Sequence, residues 1–108
     1  MSYNIYVLQL FEKQAKRLAK KYPSLKNDLG VLFEKLGDNP EQGTPLGKNF
    51  FKIRLAISSK GKGKAGGARV ITYVKVTATV VYLTSIYDKS EKSTITDKEL
   101  EQIFKFLP

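Results

Sequence analysis

The chain has 108 residues, 42% of them apolar, no cysteine, no histidine and a formal net charge of +9. That length suits one domain, residues 1–108, and is too short for two, while the apolar share excludes a disordered chain. The missing cysteines exclude disulfides and thiolate metal sites, the missing histidines remove the usual neutral-pH general base, and no apolar run nears the ~20 residues of a membrane span.

Tyr3 to Leu8 reads as a short strand with Tyr3, Ile5 and Val7 on one face. A helix follows, with Phe11, Ala15, Leu18, Ala19 and Tyr22 in an apolar stripe and lysines and Arg17 over the rest. Pro23 ends it, and Ser24 is placed to cap a second helix whose stripe is Leu25, Leu29, Leu32, Phe33 and Leu36. So short a link predicts an antiparallel helical hairpin. Asp38 to Gly47 reads as loop.

Three strands come next. In Phe50–Ile57, the residues Phe51, Ile53, Leu55 and Ile57 face one way, and Phe50, Lys52 and Arg54 the other. Ala68–Val76 and Thr79–Tyr87 are apolar on both faces, joined tightly at Thr77-Ala78. Thr96-Asp97-Lys98-Glu99 is a capping box that opens a last helix, with Leu100, Ile103, Phe104 and Leu107 as its apolar face. The expected fold is α+β in the order β-α-α-β-β-β-α. Its sheet is curved, mostly antiparallel and four-stranded, with the helical hairpin on one face and the other face partly open.

Charge is concentrated in the middle of the chain. Residues 48–92 carry ten Lys/Arg against two Asp/Glu, whereas residues 1–47 carry seven against five. The segment Phe50–Tyr73 holds Lys52, Arg54, Lys60, Lys62, Lys64 and Arg69 without one acid. A localised positive field of this kind attracts a polyanion, most commonly nucleic acid; a solvated surface or a patch for an acidic protein is the plainer alternative. Lys52 and Arg54, two apart on a strand, leave the same face, and Arg69 on the next strand can bring a second guanidinium beside Arg54. Planar guanidinium forks match phosphate oxygens, although edge-strand cations also serve simply to discourage aggregation.

The loop Lys60-Gly61-Lys62-Gly63-Lys64 can follow a phosphate backbone with point charges. Gly61 to Gly66 also spells G-x-G-x-x-G, but it joins two strands instead of opening a helix, so no dinucleotide site is expected. The last strand runs into Ile86-Tyr87-Asp88-Lys89-Ser90-Glu91-Lys92, offering a phenol at Tyr87 and ammonium groups at Lys89 and Lys92. Without histidine, RNA cleavage would proceed by attack of a ribose 2′-hydroxyl on the adjacent phosphate. Crowded lysines would supply proton transfer and arginines would carry the transition-state charge. DNA lacks that hydroxyl.

The element order, the K-I-R strand, the run GGARVITYV and the closing IYDKSEK resemble the RelE/ParE superfamily of bacterial type II toxins, especially its RelE- and HigB-like branch. The resemblance runs from Phe11 to the C-terminal helix. It implies a ribosome-dependent, metal-independent mRNA endonuclease that inhibits translation and is restrained by a cognate antitoxin. Its partners would be mRNA and the 70S ribosome, with no small-molecule cofactor, no membrane and a cytoplasmic location. By position, Lys52 and Arg54 match the family's basic pair, Arg69 matches its phosphate-contacting, transition-state-stabilising arginine, and Lys89 falls near another basic residue. The family's tyrosine in the last element has no counterpart after Thr96, so Tyr87 or Tyr73 would substitute. Lys52, Arg54, Arg69, Tyr87 and Lys89 are thus the candidate catalytic set. Lys60, Lys62, Lys64 and Lys92 are the candidate RNA- and ribosome-binding set, the loop lysines acting as a mobile grip. A ParE-like DNA gyrase inhibitor and a non-catalytic RNA- or ribosome-binding domain are the alternatives.

Overall fold

A computed structural model describes residues 2–108. The apolar stripe of α1 (Gln9–Lys21) buries Phe11 and Leu18, and Glu12 in its first turn with Lys20 and Lys21 in its last complement the helix dipole. The stripe of α2 (Leu25–Asp38) buries Leu25, Leu29, Leu32 and Leu36. Ser24 does not cap α2 with its side chain. It is held in right-handed helical geometry and its hydroxyl donates to Asp28 (2.9 Å) and accepts from the Ser59 N–H (2.8 Å). The hydroxyl therefore fastens the hairpin to a distant loop.

The sheet contains β1 (Asn4–Val7), β2 (Thr44–Gly47), β3 (Phe50–Leu55), β4 (Ala68–Lys75) and β5 (Val80–Asp88), in spatial order β1-β5-β4-β3-β2. Among the described residues only β1 pairs in parallel, with β5. The sheet has five strands and not the expected four, because β2 lies within the segment read as loop. Pro45 conceals it in the sequence but is tolerated on this outermost strand, where no ladder hydrogen bond is required of it. The β2–β3 turn is made by Lys48 and Asn49, both with positive φ (54° and 70°), the backbone sense that suits a two-residue hairpin. The β4–β5 connection is a 3-10 turn, Val76–Ala78, closed by Thr79 at φ 53°. A bulge opposite Ile71–Thr72 turns Thr84 so that its hydroxyl donates to the Ile71 carbonyl (2.8 Å).

Each face of the sheet has its own core. The hairpin face packs Phe11, Leu18, Leu32 and Leu36 against Ile53, Val70, Val81, Leu83 and Ile86. On the opposite face, α3 (Asp97–Lys105) lays Leu100 and Ile103 over Phe50, Ile71 and Tyr87, so this side is covered more fully than expected. Its start is fixed by the expected capping box: Thr96 Oγ1 accepts from the Glu99 N–H (3.1 Å) and Glu99 Oε1 accepts from the Thr96 N–H (3.0 Å). Among the described residues no helix is long and apolar enough to cross a membrane.

Two glycines separate strain from permissiveness. Gly43 has φ +93°, and a Cβ there would sit 2.3 Å from the Lys52 carbonyl oxygen; Gly30, inside α2, has nothing within 4 Å. Gly43→Ala should lower stability by about 1–3 kcal/mol and Gly30→Ala should raise it by about 0.4–1 kcal/mol, read from urea unfolding midpoints.

Candidate nucleic-acid interface and active site

The antiparallel register builds the site. Arg54 on β3 pairs with Arg69 on β4, and Arg69 pairs with Tyr87 on β5. Directly opposed residues project from one face, so two guanidiniums and a phenol form a single row across three strands. Arg54 is exposed, whereas Arg69 and Tyr87 are each only 6% exposed. Lys52 lies one row along the same face, opposite Ile71, and is half-buried.

Two arginines facing each other repel, and carbonyl oxygens offset that repulsion. Arg69 Nη1 donates to the carbonyls of Lys64 (2.9 Å) and Ala68 (3.1 Å), and Nη2 to that of Ala65 (3.4 Å). Burial lowers the Arg69 pKa, Arg54 lowers it further, and Tyr87 opposes both. An arginine starts so high that it stays charged.

Tyr87 is the unusual member of the row. Its buried hydroxyl makes no hydrogen bond. Burial pushes the phenol pKa up, while the charges of Arg69 and Lys92 pull it partly back, as do the Ile95 main chain and the Thr94 side chain through contacts that fall short of hydrogen-bond geometry. A raised value keeps Tyr87 a neutral O–H donor at physiological pH. Lys92 Nζ stands 5.4 Å over the Tyr87 ring and pairs with Glu99, so this expected RNA-binding lysine is tied to the capping box of α3. Lys89 Nζ donates to the Ser93 carbonyl (2.8 Å), and its main-chain N–H bonds to Gly67 (3.0 Å) beside the row.

The loop lysines divide into two groups. Lys62 and Lys64 are exposed, as a phosphate grip requires. Lys60 departs from that expectation: its Nζ donates to Asp88 at 2.7 Å, and its side chain is 11% exposed. Asp88, wholly buried, also accepts from the Tyr22 hydroxyl (2.6 Å) and from the Ser90 N–H and hydroxyl. Burial alone would raise the Asp88 pKa, but Lys60, Tyr22 and Ser90 hold it well below the usual carboxylate range. The depressed value means that this pair contributes stability above the ~3.9 of a free aspartate and loses it only as acid titrates the folded-state group. The loop is therefore fastened at both ends, by Lys60 at one and by Arg69 at the other. Lys60 is thus not equivalent to Lys62 and Lys64 in its surroundings.

Beside the row, a cleft of about 600 Å³ opens between α2 and β3, lined by Lys35, Lys52, Arg54 and Lys64 with Asp28 at its border. Burial raises the Asp28 pKa, but the Ser58 hydroxyl and N–H and the Ser24 hydroxyl lower it more, so this carboxylate is already committed to the protein. Lys35 was not anticipated; in the sequence it is one of several lysines on an amphipathic helix. Asp88 was also missed, although it is the first acid after Glu41 and follows eight Lys/Arg without a counter-charge. Among the described residues, no three His, Cys, Asp or Glu side chains gather to hold a metal ion. Tyr87→Phe removes an unpaired buried hydroxyl, so the folded state should gain stability, by up to about 1–3 kcal/mol, as measured by chemical denaturation.

Comparison with known proteins identifies the fold. It is similar to free E. coli RelE bearing two arginine-to-alanine changes, with a TM-score of 0.65, 14% identity and 100% of both chains covered. The toxin–antitoxin complex RelBE of E. coli gives a TM-score of 0.61 at 17% identity over 81% of this chain and 96% of the other. RelBE2 of Mycobacterium tuberculosis gives 0.57 at 12% identity over 82% and 99%. At these identities the likeness concerns the fold alone. The family model described as the RelE toxin of the RelE/RelB toxin–antitoxin system matches residues 5–107 of the sequence itself, and the chain therefore belongs to the RelE toxin family.

Proposed function

We propose that this chain is the toxin of a type II toxin–antitoxin pair and an endoribonuclease that cuts translated mRNA on the ribosome. The observation that carries this reading is the Arg54–Arg69–Tyr87 row, which sets an exposed guanidinium, an anchored guanidinium and an unpaired neutral phenol side by side. A phosphodiester reaching the row meets the exposed Arg54 first, and Arg69 and the Tyr87 hydroxyl become available to it when α3, which covers Tyr87, shifts aside. The ribose 2′-oxygen attacks phosphorus, the P–O5′ bond breaks, and the fragments end in a 2′,3′-cyclic phosphate and a 5′-hydroxyl. Arg54 binds the phosphate and Arg69 stabilises the charge of the phosphorane. Tyr87 gives its proton to the departing 5′-oxygen. Lys52 and Lys89 flank the row and add positive charge beside the phosphate, and the 2′-hydroxyl proton passes to solvent water. All of these groups are side chains of the chain itself, and the reaction draws on no cofactor.

Lys62 and Lys64, exposed at the loop, and Lys35, at the cleft, contact the RNA backbone as point charges. The same cationic surface suits an acidic antitoxin segment that would cover it, and the RelBE complexes of similar fold support such a partner.

The test is inducible expression with mapping of mRNA 5′ ends, followed by cleavage of mRNA on programmed ribosomes. Cuts should fall within translated codons. Arg54→Ala and Tyr87→Phe should each slow cleavage about 100-fold or more while the proteins remain folded. Arg54 is the cleaner probe, because Arg69 also holds loop carbonyls. Full-rate cleavage by Arg54→Ala would overturn the mechanism; inhibited DNA supercoiling with intact mRNA would overturn the activity.

A further inference from the structure

We propose that Lys60, Asp88 and Tyr22 form a buried latch that positions the Arg54–Arg69–Tyr87 row, with Lys60 acting through Asp88 and making no contact with RNA. The inference rests on the ribonuclease reading above and adds three positioning residues to it.

Three segments distant in sequence meet at one carboxylate. Tyr22 directly follows the first helix, Lys60 ends the 3-10 turn Ser58–Lys60, and Asp88 ends β5. Asp88 accepts from Tyr22, Lys60 and Ser90 at 2.6–2.9 Å, and Lys60 Nζ also lies 5.3 Å over the Tyr22 ring. The same short turn is fastened on its other side to α2. Ser58 donates to Asp28 through both N–H (3.0 Å) and hydroxyl (2.6 Å), and Ser59 bonds to Ser24.

The latch lies one residue from Tyr87 along β5 and, across the ladder, one residue from Arg69. Asp88 directly follows Tyr87 and pairs with Ala68, the residue before Arg69. Lys89 N–H bonds to Gly67, closing the same corner. Beyond Lys60 the chain runs through Gly61 and Gly63, both at positive φ, until Arg69 takes hold of the Lys64 and Ala65 carbonyls. The first half of the loop is thus located by the latch and the second half by the catalytic arginine. Releasing Lys60 would leave Arg69 holding a loop loose at its other end, and would loosen the strand end that carries Tyr87. A buried ion pair contributes little net stability over an apolar replacement, so fixing geometry is the more physical use for this one.

Lys60→Met and the double variant Lys60→Met/Asp88→Asn separate this role from a phosphate contact. Amide hydrogen exchange, which needs no RNA, should speed up at least 10-fold at Arg69 and Lys89 in Lys60→Met. On programmed ribosomes, cleavage at saturating substrate should fall roughly 10- to 100-fold, as expected when reacting groups are misplaced. The slope of log affinity against log salt should stay that of the unsubstituted protein, whereas Lys62→Ala should flatten it by about 0.7. The double variant, which leaves no buried charge unpaired, should recover folding stability but not the cleavage rate. Unchanged exchange at Arg69 and Lys89 in Lys60→Met would overturn the latch. So would a salt slope flattened by one contact together with full-rate cleavage. If the unsubstituted protein cuts no RNA, the ribonuclease reading fails, and the exchange measurement alone still decides whether the latch holds the row.

Discussion

The site depends on Arg54 and Arg69 facing each other across the β3–β4 ladder, an arrangement that is unfavourable by itself. Like charges directly opposed on a sheet would normally push the strands toward another register. Here the apolar alternation on both sides prevents slippage, because a shift of one residue would turn Ile53 and Val70 out of the hairpin core. The carbonyls of Lys64, Ala65 and Ala68 then give Arg69 partners that an arginine with a nearby carboxylate would not need. With no acid in the row, the unspent positive charge of Arg54 faces outward. That charge is what the fold offers to an anion.

Tyr87 shows the same trade in another form. A buried phenol without a partner costs stability, yet it stays neutral beside two cations with its donor unspent. Strain and unsatisfied groups of this kind are tolerated where the surrounding structure over-determines them. That support comes from α3 above Tyr87, from Lys92 on its ring, and from Asp88 immediately after it in the strand. Groups with three different surroundings are therefore neighbours along β5: Ile86 in one core, Tyr87 in the row, Asp88 in the ion pair.

Much of the fold was legible because its periods are clean. The stripes of Phe11–Tyr22 and Leu25–Leu36, the alternation of β3 and the Thr96–Glu99 box each state one structure unambiguously. The strand at Thr44–Gly47 was not legible, since Pro45 and two glycines read as loop and only pairing with β3 makes them a strand. The convergence of Lys52, Arg54 and Arg69 could be read from strand spacing. Their surroundings could not. Nothing in the run Ile86–Lys92 sets Asp88 apart, because its partners Tyr22 and Lys60 lie 66 and 28 residues away in sequence. Lys60, Lys62 and Lys64 form an even pattern in sequence, and only the tertiary contact of Lys60 breaks that equivalence. Lys35 was hidden among the other lysines of the helical hairpin, because helix periodicity cannot say which solvent-facing position borders a cleft.

The most direct measurement is a structure of the protein bound to a ribosome programmed with mRNA carrying a 2′-O-methyl group at the cut site, which blocks attack without removing the phosphate. The phosphate should lie on the row, with Arg54 and the Tyr87 hydroxyl within about 2.7–3.2 Å of its oxygens. Density that places the phosphate on another surface, with Tyr87 still unpaired beneath α3, would contradict the assignment of this row as the catalytic centre.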